Sequence, residues 1–325
     1  MAVLTAASQL TLLELAKRKD PDGELAAIAE VLNDTNEILN DAVWLEANDT
    51  FGHKITRRSY LPAGSWRKLN AGVSAEASKT QEVYETIGML ESYAEADKDL
   101  VDSAPNPKQF RNQEAAAFIE GMSQTLATTI IYGSTVTTPE KFDGLALRMP
   151  SLAATTNVIG CGGTGSDLTS IYMVGWGPNK VFMIYPKGSK TMGIKHTDLG
   201  EETKVASSTM YQVYRDHFQF KCGLVVKDDR CIGRVANIED DGTSNLFDED
   251  NLITILNRMP GAGRNVVLYC NATVQSQMEI ALKDKSNVNY TPGRGEGLSG
   301  EPIVRFRGCP VRRVDAITIT EAAIS

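Results

Sequence analysis

The stretch PKQFRNQEAAAFIEGMSQTLATTIIY, residues 107–132, is the clearest element in the sequence and decides how the rest can pack. Asn106 is a favoured N-cap residue, Pro107 suits the first helical position because its missing N–H would have no partner there, and Gly133 suits a helix end. A helix of this length measures about 39 Å at 1.5 Å per residue. It predicts a backbone helix against which a sheet packs. The predicted core residues lie close to one face of this helix: Phe110, Phe118, Met122, Leu126 and Ile130.

A polar segment that mixes basic and aromatic side chains precedes this helix, at residues 51–70. The strands HKITRRSY (53–60) and SWRKLN (65–70) flank LPAG (61–64), which predicts a hairpin with a Pro/Gly turn. Residues 79–103 return the chain with mixed periodicity. An isolated hairpin is marginal in water, so a neighbouring copy of the same protein is the simplest partner to hold it. The predicted interface residues are Lys54, Arg57, Arg58, Tyr60, Trp66, Arg67 and Lys68.

The residue types of this arm fit two kinds of partner. Tyrosine, tryptophan and arginine are enriched at protein interfaces. Aromatic rings interleaved with cations also stack on bases and meet phosphates. The formal net charge of −8 over 325 residues argues against a dedicated nucleic-acid binder, which normally carries a basic excess. The composition therefore favours an interface arm that faces acidic neighbours, with a local nucleic-acid patch as the alternative.

Further elements flank the long helix on both sides. Apolar stripes between residues 8 and 48 predict short helices on an N-terminal arm. IYMVGW and KVFMIYP, separated by a Gly-Pro-Asn turn, predict a hairpin over residues 168–186. Strands are predicted around residues 211–220, 223–226 and 232–238, which together indicate a mostly antiparallel sheet beside the helix.

The last part of the chain predicts a smaller α/β lobe. The acidic stretch 239–250 leads into a helix at 251–259, whose start is matched to the helix dipole by acidic residues. A buried strand, NVVLYCN (265–271), precedes a helix at 273–283. The tail from residue 300 again has the composition of strands.

No catalytic, cofactor or metal site is predicted. GCGGTG (160–165) matches G-x-G-x-x-G, but a dinucleotide loop leads into a helix and this one leads into strands. His217 follows Asp216, yet sequence neighbours on a strand point to opposite faces. The acidic stretch 239–250 lacks the spacing of a calcium loop, so it is interpreted as a solvated entry to a helix.

The cysteines and the N-terminal residues bear on the compartment. The five cysteines are odd in number and widely separated, which predicts free and mostly buried thiols in a reducing compartment. Residues 1–20 lack the basic start and continuous apolar run of a signal peptide. No stretch approaches the roughly 20 apolar residues of a membrane span. We therefore expect a soluble protein, made in a cytoplasm, with no membrane partner.

Taken together, the arm, hairpin, long helix, sheet and late α/β lobe resemble the major capsid proteins of tailed bacteriophages with the Hong Kong 97-like fold, most of all their short-tailed-phage branch. The stretches that carry the resemblance extend over nearly the whole chain. They include the hairpin region at about 51–100, IIYGSTVTTPEKFDGL (130–145), TSIYMVGWGPNKVFMIYPKGSKTMGI (169–194), GLVVKDDRCIGRVANI (223–238), and NRMPGAGRNVVLYCN (257–271) followed by FRGCPV (306–311).

The resemblance implies an α+β fold divided into four parts. These parts are an N-terminal arm (1–48), an E-loop (49–103), a P-domain with the spine helix 107–132 and a β-rich region (104–240), and an A-domain with the C-terminal strands (241–325). In the commonest version of the fold the A-domain follows the spine helix closely, whereas here a long β-rich stretch intervenes. Some members cross-link an E-loop lysine to a neighbour, and Lys54 and Lys68 lie in that segment.

The resemblance also implies a function without catalysis or cofactor. The protein would assemble with itself into hexamers and pentamers of an icosahedral shell that encloses double-stranded DNA without sequence-specific binding. Further partners would be a scaffolding protein, a portal protein and a cement or decoration protein. Its place would be the virion, after assembly in the cytoplasm of a bacterial host. Two alternatives remain: a nanocompartment shell protein of the same fold, and a nucleotide-dependent oxidoreductase that rests on the glycine loop alone.

Overall fold

Two large sheets, a separate two-stranded ribbon and one long helix make up the part of the protein that the structure describes. The computed structural model describes residues 36–153, 155–189, 193–206, 209–241, 244–261, 263, 265–282, 290–294 and 302–325. The predicted helices of the N-terminal arm before residue 36 lie outside these residues. The described helices are α1 (Ile38–Asp41), α2 (Lys98–Asp102), α3 (Pro107–Tyr132), α4 (Leu145–Arg148), α5 (Glu249–Arg258) and α6 (Ala272–Leu282).

The described strands follow the chain from the first sheet to the second. They are β1 (Trp44–Glu46), β2 (Gly52–Tyr60), β3 (Lys79–Thr86), β4 (Gly88–Asp97), β5 (Val158–Gly160), β6 (Leu168–Val174), β7 (Val181–Tyr185), β8 (Lys195–Ala206), β9 (Thr209–Val226), β10 (Ile232–Glu239), β11 (Val267–Cys270), β12 (Tyr290–Arg294), β13 (Pro302–Phe306) and β14 (Cys309–Arg313).

The first sheet is organised by the 18-residue strand β9. Its order is β1-β7-β9-β4, and β8 pairs with β9 as well. Near its C-terminal end β9 pairs with β7, and over residues 213–222 it pairs with β4. The sequence predicted two strands, at 211–220 and 223–226, where one continuous strand joins the two ends of this sheet.

The second sheet has the order β12-β13-β14-β11-β6-β10-β5. Helices α5 and α6 contribute to one apolar cluster with it, in which Leu252 and Ile255 of α5 and Met278 of α6 are buried with Ile171 and Met173 of β6. Asp248 caps α5 by accepting a hydrogen bond from the Asp250 amide at 3.1 Å. The acidic stretch therefore ends in a helix entry, as predicted.

The long helix α3 has the predicted bounds. The Asn106 side chain accepts a hydrogen bond from the Gln109 amide at 3.2 Å, and the Gly133 amide donates to the Thr129 carbonyl at 2.8 Å. Of the predicted core residues, four are buried: Phe110, Met122, Leu126 and Ile130.

Phe118 differs from this prediction because it is only partly buried. One face of its ring stacks on Phe218 of β9, with 6.1 Å between the ring centroids. Phe118 also borders a groove that Leu90, Ala117 and Gly121 line. Phe118 is therefore a residue at the boundary of the core.

The hairpin differs from its predicted form in the second strand. β2 pairs with β3, from Gly52 opposite Thr86 to Tyr60 opposite Lys79, and residues 65–70 have no regular structure. The observed register places Val83 opposite Ile55, which is 3% exposed. A tight turn at LPAG would instead place the polar Asn70 opposite Ile55. Apolar cross-strand contact therefore favours the longer loop.

The predicted hairpin over residues 168–186 is wrong as a pairing. The turn is present, since the Lys180 amide donates to the Gly177 carbonyl at 3.0 Å. However, β6 lies between β11 and β10 in the second sheet, and β7 lies between β1 and β9 in the first. All seven residues of β6 are buried, which is typical of a strand covered on both faces. The turn thus carries the chain from one sheet to the other.

A buried ion pair fixes residues near the end of the chain to the core. Arg234 of β10 contacts Glu321 at 2.9 Å between Nη2 and Oε2, and both side chains are less than a tenth exposed. The Tyr172 hydroxyl donates to Glu321 at 3.1 Å, and the hydroxyls of Tyr132 and Ser170 donate to it as well. The spine helix, the second sheet and the last residues therefore meet at one carboxylate.

Candidate inter-subunit interface

The base of the hairpin is held by the body of the protein. The Asn48 side chain accepts a hydrogen bond from the Lys54 amide at 2.8 Å and donates one to the Lys54 carbonyl at 2.7 Å. Ile55 is buried in one apolar cluster with Phe182 and Val225 of the first sheet. Side-chain amide bonds to both backbone groups of one residue fix the direction in which β2 leaves the body.

Two arginines tie the ribbon more firmly. Arg57 contacts Asp229 at 2.6 Å and donates to the Val226 carbonyl. Arg148 of α4 makes two parallel bonds of 2.8 Å to the buried Glu85 carboxylate of β3. Paired bonds of this kind are geometrically specific. Arg57, predicted as an interface residue, is thus bound to its own subunit.

The far end of the hairpin, residues 61–78, is exposed throughout and is called the tip below. Trp66 is 103% exposed and Leu69 is 91% exposed. Within the described residues, no ion pair involves the neighbouring Arg67 or Lys68. Exposed apolar side chains gathered beside cations are typical of an interaction surface.

The structure therefore divides the predicted interface residues into two groups. Lys54 and Arg57 lie near the base, where Lys54 pairs with Glu82 across the ribbon at 2.6 Å. The outward group consists of exposed residues: Arg58, Tyr60, Trp66, Arg67 and Lys68. Sequence reasoning missed three further apolar residues of the tip, Leu61, Leu69 and Val73. Their presence in a stretch rich in proline, glycine and cations was the available signal.

A polar cluster joins the spine helix to the first sheet. Arg111 of α3 contacts Asp216 at 2.8 Å and Asp198 at 2.7 Å, and its guanidinium lies 5.2 Å from the centre of the Tyr214 ring. The hydrogen bond from Arg111 lowers the pKa of Asp198. His196 Nε2 lies 2.9 Å from the same Asp216 carboxylate. Asp216 thus organises a structural contact between the helix and the sheet.

His217 lies on the opposite face of β9 from Asp216, as predicted. Its ring stacks on Tyr93 with 4.4 Å between centroids, and its Nε2 lies 3.3 Å from Glu91. Asp216 and His217 therefore do not form a base with its orienting carboxylate.

The glycine loop at 160–165 connects β5 to β6, so it leads into a strand. The Gly163 amide donates to the Asn237 carbonyl at 3.0 Å, which closes the loop onto β10. In the part of the chain that the structure describes, no group of metal-binding side chains is gathered, and no helix is long and apolar enough to span a membrane.

A long helix packed on a sheet, a second sheet with its own helices and a ribbon projecting from the body define the Hong Kong 97-like fold of phage shell proteins. The chain belongs to the major capsid protein GP7 family, whose sequence profile matches residues 20–325. Its function is that of a major capsid protein of a tailed phage, which forms the capsid of the virion.

The chain is also similar to chains of solved structures. A chain of the cryo-EM structure of bacteriophage Epsilon15 is 30% identical, with a TM-score of 0.72 and 99% of each chain covered. The capsid of bacteriophage JBD30 is 11% identical, with a TM-score of 0.49 over 90% of this chain and 95% of that one. An encapsulin complex from Synechococcus elongatus is 10% identical, with a TM-score of 0.47 over 72% and 97%. No curated protein matches the chain.

Proposed function

We propose that the tip is the segment through which one copy holds the next in the shell, and that the protein acts by binding alone. The observation that best supports this proposal is a contrast within the hairpin. Its base is bound to its own subunit, whereas Trp66 in the tip is 103% exposed. Tryptophan and arginine dominate binding energy at interfaces. Heterologous contacts of this kind form closed rings when the rotation between copies closes, which suits hexamers and pentamers.

A nucleic-acid role for the tip is the second candidate. Trp66 followed directly by Arg67 and Lys68 offers a ring for stacking and two cations for phosphates. The acidic net charge of −8 disfavours it as the main role, because counterion release needs a basic surface. Double-stranded DNA would then be enclosed by the shell and contacted without sequence specificity.

The remaining assignments follow from the family and are part of the proposal. We assign the N-terminal arm to 1–48, the E-loop to 49–103, the P-domain to 104–240 and the A-domain with the C-terminal strands to 241–325. Of the strands before residue 240, β5, β6 and β10 share the second sheet with the late strands. A scaffolding protein, a portal protein and a cement protein are the proposed partners besides further copies of the chain.

Replacement of the tip tests the interface. A Gly/Ser linker in place of residues 61–78 joins Tyr60 to Lys79, which are register partners, and keeps every base contact. The purified subunit should keep its melting temperature within about 2 °C, because exposed residues contribute little to stability. Sedimentation and electron microscopy should show no closed shells. Trp66→Ala should show a weaker form of the defect, and Val136→Ala, at an 82% exposed apolar residue outside the hairpin, is the matched control.

Three outcomes separate the candidates. Normal shells from both the linker variant and Trp66→Ala would refute the interface. Normal shells that retain less DNA would favour the nucleic-acid role. If the linker variant failed to fold, Trp66→Ala alone would decide, because truncating a fully exposed side chain leaves the fold intact.

A further inference from the structure

Residues 318–325, called the strap below, lie across the junction between the spine helix and the second sheet. The strap contains neither a helix nor a strand, and six of its eight residues are exposed. Glu321 and Ile324 are the two that turn inward. At its start, the Thr318 amide donates to the Tyr132 hydroxyl of the spine helix at 3.1 Å. The strap is therefore an exposed segment that is held at a few points.

Two anchors hold the strap to the second sheet. The first is the buried Glu321 carboxylate, with its partners on α3, β6 and β10. The second is the side-chain amide of Asn237 in β10, which is 7% exposed. This amide donates to the Ile324 carbonyl at 2.8 Å and accepts from the Ile324 amide at 3.0 Å. The Leu152 amide also donates to the Ser325 carbonyl at 3.2 Å.

Asn237 has an unusual backbone conformation. Its φ angle is +56°, in the left-handed region, where asparagine and aspartate are the best tolerated residues after glycine. It lies where the pairing of β10 with β6 shifts register, between Val235 and Ile238. A bulge of this kind re-aims a side chain out of the alternating pattern of a strand. Strained backbone persists only where the surrounding contacts determine it, and here the re-aimed side chain binds the strap.

We propose that the strap opens and closes as a unit while the rest of the subunit stays folded, and that the closed strap is the form that assembles. Segments with few buried apolar contacts open at the lowest free energy. Ile324 packs on the main apolar cluster, whereas Ile319 is 43% exposed. Opening would also admit water to the polar partners of Glu321, so they would not be left dry and unpaired.

The link to assembly follows from what the closed strap holds together. It joins the end of the spine helix at Tyr132, the second sheet at Asn237 and the segment after α4 at Leu152. A subunit in which these parts can shift spends only a fraction of its time in the binding-competent form, and its apparent affinity falls by that fraction. Closure of the strap and formation of the shell therefore favour each other.

Hydrogen exchange with mass spectrometry tests whether the strap opens as a unit. Asn237→Asp tolerates the backbone and keeps an acceptor for the Ile324 amide, but it removes the donor to the Ile324 carbonyl. Exchange in the peptide 318–325 should become at least about fivefold faster, because one hydrogen bond is lost, while the β6 peptide 168–174 keeps its rate. Asn265→Asp is the matched control, since Asn265 is exposed and has a φ angle of +59°. Equal strap rates in the two variants, or acceleration of both peptides together, would overturn the proposal.

A locked strap and a deleted strap test the link to assembly. Leu168 and Glu321 are antiparallel bridge partners, so Asp167 and Ala322 form the next pair across the bridge. With Asp167→Cys and Ala322→Cys, oxidation by glutathione disulfide should keep the strap closed. The oxidised subunit should then form shells at the same or a lower concentration than its reduced form. Deletion of residues 318–325 should leave a subunit that unfolds cooperatively and forms no closed shells.

Each result decides for or against the strap. Shells from the reduced double-cysteine variant but none from the oxidised one would show that assembly needs an open strap, and would overturn the proposal. Shells formed by the deletion variant at the wild-type concentration would overturn it as well. If the deletion variant failed to fold, the exchange comparison and the locked variant would decide, since both keep the Glu321 carboxylate in place.

Discussion

Removal of the Glu321 carboxylate should be among the most damaging single changes in the protein. Glu321→Ala leaves the Arg234 guanidinium buried without its counter-ion, since the Arg234 side chain is 6% exposed. Breaking a buried pair from one side costs about 3–5 kcal/mol. Arg234 keeps two other bonds, to the Met149 carbonyl at 3.0 Å and to Ser170 Oγ at 3.1 Å, which favours the lower end of that range. Tyr132 and Tyr172 lose an acceptor as well.

The loss is measured by urea unfolding of the unassembled subunit. A decrease of about 3 kcal/mol is a large part of a typical stability of about 5–15 kcal/mol. Arg234→Met added to Glu321→Ala should recover much of the loss, because the unpaired charge is then absent. Arg234→Met alone leaves the carboxylate unpaired and serves as the matched single variant. A Glu321→Ala protein within 1 kcal/mol of wild type, with no recovery in the double variant, would show that the pair is not desolvated.

Three further predictions concern other parts of the core. Phe118→Ala should cost about 1–3 kcal/mol, less than the roughly 3–5 kcal/mol expected for the fully buried Phe110→Ala, as measured by urea unfolding; equal losses would contradict the boundary position of Phe118. Burial raises the pKa of the Tyr132 and Tyr172 hydroxyls above the ordinary 10.0. The stability that depends on their neutral form is therefore complete below pH 10 and is lost as the pH rises further. Tyr132→Phe should reduce this loss of stability at alkaline pH, as measured by urea unfolding over a series of pH values. All five cysteines are free thiols, four of them buried, so a thiol reagent should titrate five groups in denatured, unreduced protein and react slowly with the folded subunit; a count of three would indicate a disulfide.

Local signals in the sequence specify the helices well. The bounds of the spine helix follow from Asn106, Pro107 and Gly133, because capping acts over three or four residues. Helix α5 follows in the same way from its acidic entry. These features depend on neighbours in the chain, so a single sequence contains them.

Strand pairing could not be predicted from such local signals. LPAG has the composition of a tight turn, yet β2 pairs with a strand that begins at Lys79. The Gly-Pro-Asn turn forms as predicted, yet the strands on either side enter different sheets. A turn specifies only that the chain changes direction. Which strand becomes the partner depends on the burial of distant residues, here Val83 beside Ile55 and the fully covered β6.

Only part of the candidate site could be predicted from the sequence, because the rest also depends on distant residues. Composition identified the exposed cations and Trp66, because basic and aromatic residues in a polar stretch are visible in the sequence. Helical periodicity placed Phe118 on the apolar face, but periodicity does not tell how far the sheet covers that face. The groove beside Phe118 depends on the limit of that coverage, which only the packing of β4 against α3 defines.

The division between base and tip has an energetic consequence for assembly. A free hairpin of two strands would have to be ordered at the moment of binding, and each immobilised side chain would cost about 0.5–1.5 kcal/mol. Here Asn48, Ile55 and Arg57 already hold the base to the subunit, and Arg148 holds Glu85 of the second strand. The free-energy cost of ordering the base is therefore incurred when the subunit folds and not when it assembles. If the tip binds a neighbouring copy as proposed, a larger share of its contact energy is then available to that contact, so substitutions that loosen the base should also weaken assembly.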